Sequence, residues 1–220
     1  MAKLIITIDG PAGSGKSSTA KLLASKLNAA FLDTGAMYRA VTLAAMNSGC
    51  DLSNVSKLEH IIDNNNFNFE ISHGMMIVKI NGSDVTEHIR NPDVTSKVHF
   101  IASQPSLRAK LVKMQRAFAE KYDKIVTEGR DQGTVVFPDA QLKIFLIADN
   151  SERAKRRALE LMQKGYDADI TRIQQEIENR DLHDTSRKVA PLVPAVDAVN
   201  VDTTSLSLEQ VVQKILGLIK

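Results

Sequence analysis

The chain has no tryptophan and a single cysteine, Cys50, among its 220 residues. One thiol excludes an internal disulfide. The five histidines, His60, His73, His88, His99 and His183, are scattered, and no two have the tight spacing of a zinc site. No apolar run approaches the ~18 residues of a membrane span. The apolar stretch behind "MAK" is too short for a signal peptide. Net charge is only +2, which gives no general field for a nucleic-acid polymer, so any basic site must come from local clustering. From these absences we expect a cytoplasmic protein with neither membrane nor nucleic-acid partner.

Hydrophobic residues make up 43% and charged residues 25%, enough for an ordinary globular core. Leu4 to Ile8 reads as a short buried strand, and leucines at helical spacing follow it (Leu22, Leu23, Leu27). "AAFLD" reads as a second strand, and "GAMYRAVTLAAMNSG" as a helix closed by Gly49. This is the start of a parallel α/β layout. From about residue 51 to 100 the pattern changes. "NFNFEIS", "MMIVKI" and "SDVT", joined at "HG" and "NG", predict antiparallel hairpins inserted into the α/β chain. "SLRAKLVKMQRAFAEKY" predicts an amphipathic helix, and "KIVTEG" and "LKIFLIA" predict two strands buried on both faces. "SERAKRRALELMQKG" and "ITRIQQEIENRDL" read as arginine-rich helices, "AVNVD" as a last strand and "LSLEQVVQKILGLI" as a last helix.

Behind the first strand stands "GPAGSGKSS": Gly10, Pro11, Ala12, Gly13, Ser14, Gly15, Lys16, Ser17 and Ser18. The spacing Gly-x4-Gly-Lys-Ser between a strand and a helix is the P-loop pattern. Glycines let backbone N–H groups converge on an anion, and the helix N-terminus adds positive dipole. Lys16 is placed to reach the outer phosphates of ATP, and Ser17 to offer a hydroxyl to Mg2+. A GTPase would carry Asn-Lys-x-Asp and Asp-x-x-Gly, and neither is evident.

A P-loop does not specify the acceptor. The arginines bear on that: Arg39, Arg108, Arg130, Arg153, Arg156, Arg157, Arg180 and Arg187 fall near strand ends or on the two late helices. Any one of them alone reads equally as a solvated face. Together they suit transfer to a phosphate, which is already ionised and needs cations to hold two polyanions in line rather than a base. Arginine grips phosphate bidentately. A nucleoside monophosphate kinase is favoured. Two rivals stay open: a kinase of another small metabolite such as shikimate, which would want a carboxylate base and fewer arginines, and a nucleotide-dependent binding module.

"IDGPAGSGKSS", "LDTGAMYRA", "EGRDQGTVVFPDA" and "RDLHDTSRKVAPLVPA", in this order from Ile5 to about Asp202, resemble bacterial cytidylate kinases. The resemblance implies a P-loop kinase with a central parallel sheet flanked by helices, an antiparallel β insertion and a helical lid. It places the core at residues 1–35 and 101–220, the monophosphate-binding insertion at 36–100 and the lid at about 151–187. It implies transfer of phosphate from ATP, with Mg2+, to CMP and dCMP, and with no exposed apolar stripe evident we expect a monomer. Carried over residue by residue, Thr34, Arg39 and Arg130 would hold the CMP phosphate, with Tyr38 near the sugar. Arg180 and Asp184 would meet the ribose hydroxyls, and Arg187 the phosphates in transfer. Arg108 and Asp131 would read cytosine, while Arg153 and Arg157 would face ATP on a lid whose cations repel one another when it is empty. Lys16, Arg130, Arg180 and Arg187 would form the catalytic set. Glu128 and Asp33 would act on Mg2+ through water, or else merely cap the turns that follow them. Two positions depart from the family pattern. His99 stands where a serine often touches the base, leaving it either a donor to cytosine or a solvent-facing residue. Gln132 replaces a usual apolar residue.

Overall fold

The computed structural model describes residues 4–163 and 165–219. Its centre is a parallel sheet of β1 (Leu4–Asp9), β2 (Ala30–Asp33), β6 (Lys124–Gly129), β7 (Leu142–Ile147) and β8 (Val199–Asp202). The spatial order is β2-β6-β1-β7-β8. Side chains alternate across a strand, so neighbours in sequence serve opposite layers. Phe31, Val126, Ile6 and Ile8 pack on one side against Leu23 of α1 (Lys16–Leu27) and Val211, Val212 and Ile215 of α8 (Leu208–Leu216). Leu32 and Ile125 face the other way, onto Met37 and Val41 of α2 (Thr34–Asn47) and Leu107 and Leu111 of α5 (Pro105–Ala119). Each such fully buried aliphatic side chain contributes about 1.5–3 kcal/mol. The expected α/β class and strand sequence are thus found.

The insertion is richer than its hairpins. β3 (Phe67–Ser72), β4 (Met75–Ile80) and the two-residue β5 (Ser83–Asp84) form the expected antiparallel sheet. Both turns carry two central residues at positive φ, His73 and Gly74, then Asn81 and Gly82, as tight hairpin turns require. The hairpin reading of 51–100 left out two helices, α3 (Val55–Asn64) and α4 (Pro92–Ala102). Their signals are local. Asn54 caps the first by accepting from Lys57 N, with Leu58, Ile61 and Ile62 buried along one face, and Pro92 opens the second. Phe69, Met76 and Val78 join the cluster built on α2, so the insertion shares its core with one face of the main sheet.

The arginine-rich helices α6 (Asn150–Gln163) and α7 (Ile170–Ser186) pack on each other through Ala154, Ala158, Ile173 and Ile177. That apolar contact is small, so polar contacts must help hold the pair to the body.

The ends of β1 and β7 approach closely. Gly10 leaves β1 at φ 149, and a Cβ there would lie 2.3 Å from the carbonyl oxygen of Leu146. Gly49, at φ 66, has nothing within 4 Å of the same position. Gly49→Ala should therefore cost only left-handed strain, about 1 kcal/mol. Gly10→Ala should cost at least about twice that, because backbone must move. Thermal melting of the two variants checks this; equal losses would mean that the Leu146 carbonyl yields freely.

Candidate active site

The P-loop forms as its spacing predicts. Gly13 and Gly15 sit at φ 74 and 89, and α1 starts after Gly15 with no side-chain cap. Its first N–H groups are therefore left for a ligand. The loop is held from within by Ser14 Oγ, which donates to Pro11 O at 3.0 Å, and by Lys16 Nζ, which donates to the same oxygen at 2.6 Å. It is also held from α7, where Asp181 Oδ1 accepts from Ala12 N at 3.1 Å. Ser17 Oγ donates to Glu128 Oε1 at 2.8 Å, bringing the helix hydroxyl and the acid at the end of β6 together. Ser18 is on α1 with them.

Asp33 does act as a cap: it precedes α2 and accepts from Ala36 N at 2.8 Å. It also binds Arg39 at 3.2 Å and lies 3.8 Å from Arg90, an exposed arginine of the insertion that the sequence reading passed over. Arg39 Nε is buried and without a hydrogen-bond partner among the described residues. Thr34 Oγ1 donates to the carbonyl of Glu128 at 2.7 Å, tying the start of α2 to β6.

Arg108 and Asp131 form an ion pair in which both side chains are almost wholly buried. Arg108 also donates to Ala102 O at 3.1 Å, and its guanidinium lies over the Tyr38 ring, 5.7 Å from the centroid. Burial pushes the Tyr38 hydroxyl up to about 12, so it stays protonated. His99 is exposed on α4, with Nδ1 2.8 Å from Ser96 O.

Asp184 gathers the cations. Its Oδ2 accepts from Arg130 Nε at 2.7 Å, and its Oδ1 lies 3.3 Å from Arg187. Burial opposes its charge, but Arg130 and Arg187 outweigh that and hold the carboxyl below its ordinary range. Arg180 keeps surface open to solvent, yet crowding by protein and then Arg130 bring it down to about 10. The same two arginines act on Lys16. Burial first, then Arg130 and Arg180, push its amine down to about 7. Lys16, Arg130 and Arg180 thus lie within one another's fields, with Glu128 and Asp184 only partly offsetting them.

The lid cations have both partners and rivals: Arg180 is depressed by burial and then by Arg130, Arg39 and Arg157, while others are paired. Arg153 bonds Ala12 O at 2.9 Å, Ala148 O at 3.2 Å and Asn150 Oδ1 at 3.1 Å, and pairs with Asp181. Arg157 pairs with Glu160 at 3.0 Å, and Arg156 binds Thr203 O at 2.6 Å. Acids on α6 and α7 thus pair with Arg153, Arg156 and Arg157. Two residues besides Arg90 escaped the sequence reading. Asp181 was legible as the neighbour of Arg180 in "RDLHD". Asp9, the last residue of β1, accepts from the backbone of Gln132 and Gly133, and nothing in its sequence context marks it beyond the glycine that follows.

The profile of the cytidylate kinase family matches residues 6–220. The chain belongs to that family. It is 45% identical to cytidylate kinases of Bacillus thuringiensis (strain Al Hakam) and Bacillus anthracis (strain A0248), over 99% of this chain and 96% of each relative. A crystal structure of an uncharacterized protein from Eubacterium ventriosum ATCC 27560 shares the fold, with TM-score 0.51 and 15% identity, covering 99% of this chain and 98% of that one. As a cytidylate kinase the protein phosphorylates CMP with ATP. No helix among the described residues is long and apolar enough to cross a membrane.

In this cytidylate kinase a lysine near pH 7 gives a measurable signature. At pH 8 Lys16 is mostly neutral in the empty protein, and an arriving phosphate favours its charged form. ATP binding should then take up on the order of half a proton or more. Titration calorimetry in two buffers of different ionisation enthalpy reads this, and Lys16→Met should abolish it. Wild-type binding with no proton uptake would place Lys16 away from the phosphates.

Proposed function

We propose that the γ-phosphoryl group of ATP passes to the phosphate of CMP, or of dCMP, between the P-loop and the Arg130–Asp184–Arg187 cluster. One observation carries this reading: the P-loop bonds Asp181, beside Arg180, through Ala12 N, and Ser17 bonds Glu128, two residues before Arg130, so two phosphate-binding sets border one space. A phosphate oxygen of the acceptor attacks Pγ, the bond from Pγ to the bridging oxygen of ADP breaks, and no base is required. Lys16 and the N–H groups at the start of α1 hold the ATP phosphates. Arg39, whose Nε lacks a partner among the described residues, takes the CMP phosphate with Thr34 and Arg130. Arg180 and Asp184 meet the ribose beside Tyr38, and Arg187 follows the phosphoryl group in transfer.

The donor set fits Mg2+. Among the described residues no three His, Cys, Asp or Glu side chains converge as a metal site, but Ser17 and Glu128 share a hydrogen bond. Mg2+ is commonly held by substrate phosphates, one hydroxyl and waters. Ser17 would ligate it, and Glu128 and Asp33 would hold its waters. When bound it would neutralise charge on the β- and γ-phosphates. Residues 36–100 serve as the CMP-binding insertion, 1–35 and 101–220 as the core and about 151–187 as the lid. Arg153 and Arg157 border the ATP side, the first through its hold on Ala12. His99 keeps Nε2 for solvent or base. The working unit is a monomer in the cytoplasm.

Coupled assay of ADP release should show turnover with CMP and dCMP well above UMP and AMP. ATPase activity indifferent to every monophosphate would overturn the reading. Base choice gives a sharper test. Cytosine offers an N4 donor beside the N3 and O2 acceptors, which suits a carboxylate and an arginine, whereas uracil presents O4 to the carboxylate. Asp131→Asn should lower kcat/KM for CMP by about tenfold or more and narrow its lead over UMP, since an amide can donate to O4. Equal losses with CMP and UMP would mean that Asp131 only orients its neighbours.

A further inference from the structure

Asp9 is 4% exposed and forms no ion pair among the described residues. Its Oδ1 accepts from Gln132 N at 2.9 Å and its Oδ2 from Gly133 N at 2.8 Å. Burial raises its carboxyl to about 6, against the pull of those two bonds. A buried acid held by backbone alone is costly, and an apolar residue would satisfy the core at less expense. What it accomplishes lies one residue away. The peptide between Asp131 and Gln132 has its N–H on Asp9, and its carbonyl accepts from Val135 N and Val136 N at 2.9 and 3.2 Å. Both ends of that plane are fixed, so the Asp131 side chain leaves from a fixed backbone toward Arg108. On its other side Asp9 runs directly into Gly10 and the phosphate loop.

We infer that Asp9 is a positioning residue for base recognition: its carboxylate clamps the backbone behind Asp131 to the root of the P-loop. The inference rests on the proposed role of Asp131 at cytosine. Asp9 does not touch substrate. It sets where the base-reading pair stands relative to the ATP loop, and therefore how far apart the two nucleotides are held.

Asp9→Asn tests this with almost no change in shape. The amide oxygen keeps one N–H partner, but its NH2 faces the other N–H, donor against donor, and the loop must shift. We expect KM for CMP to rise about tenfold, the CMP-to-UMP ratio of kcat/KM to fall several-fold, and KM for ATP to change less than about twofold. Simple charge removal beside Lys16 predicts the opposite, tighter binding of both nucleotides, and that result would overturn the inference. So would a purely structural role, in which melting temperature and kcat fall but both KM values and the ratio hold. Should the variant not fold, the wild type decides by hydrogen exchange. The Gln132 and Gly133 amides must exchange far more slowly than exposed loop amides, and exchange within seconds would refute the clamp. CMP-dependent ADP release by the wild type is measured alongside. If that fails, the functional reading is at fault; if it holds and the variant is unchanged, only Asp9 is.

Discussion

Everything at the active site hangs on the parallel register of β1 between β6 and β7. Ile8 stands beside Glu128 and Asp9 beside Gly129 on one flank, and Asp9 beside Phe145 on the other. β1 and β6 therefore end together, with β7 running on to Ile147, and each releases its chain at the same edge of the sheet, where open α/β folds bind ligands. The P-loop leaves from β1, and the segment carrying Arg130 and Asp131 leaves from β6. A slip of one residue would turn Glu128 away from Ser17 and Asp9 away from Gln132, because successive side chains point to opposite faces. Packing opposes that slip: Ile125 and Val126 are fitted into opposite buried layers, and exchanging them would force both layers to repack.

Charge is the second constraint. An empty cleft lined with guanidinium groups would repel itself, but here almost every arginine is matched to an acid: Arg39 with Asp33, Arg108 with Asp131, Arg130 and Arg187 with Asp184, Arg153 with Asp181. Such pairs contribute little net stability, because desolvation offsets their attraction. Their value here is orientation: each acid holds a planar fork in place before a phosphate arrives, so less freedom is lost on binding. Lys16 is different: among the described residues its amine bonds a backbone carbonyl rather than an acid, and burial with the fields of Arg130 and Arg180 pushes it down to about 7.

The P-loop was legible from residue order alone because its geometry is local: glycines, lysine and hydroxyl act within one turn of each other. The five core strands were legible for a similar reason, since burial on both faces leaves near-continuous apolar runs. The hold of Asp9 on Gln132 and of Asp181 on Ala12 was not, because these partners are 123 and 169 residues distant, and only the folded chain brings them together. Helices α3 and α4 had local caps and spacing, yet were absorbed into the reading of hairpins on either side of them. Arg153 was assigned to ATP from family position, and its guanidinium turns out to be occupied by the P-loop carbonyl and the Asp181 carboxylate. Position in a motif can fix a residue's neighbourhood without fixing what it touches.

The departure at Gln132 follows the same logic. An amide in a core position is tolerated only if both its ends are satisfied. Its Oε1 accepts from Thr127 Oγ1 at 2.9 Å, and its Nε2 donates to Gln115 Oε1 at 3.2 Å. All three residues are buried, so each depends on the others: an apolar side chain at 132 would leave Thr127 with only its long contact to Leu32 O at 3.4 Å and Gln115 without a donor. The backbone of Gln132 is meanwhile held by Asp9. The residue after Asp131 is thus fixed by main chain to the P-loop strand and by side chain to β6 and α5. The loop that carries Arg130 and Asp131 is anchored to rigid elements on three sides, as a site that must place two charges within a fraction of an ångström requires.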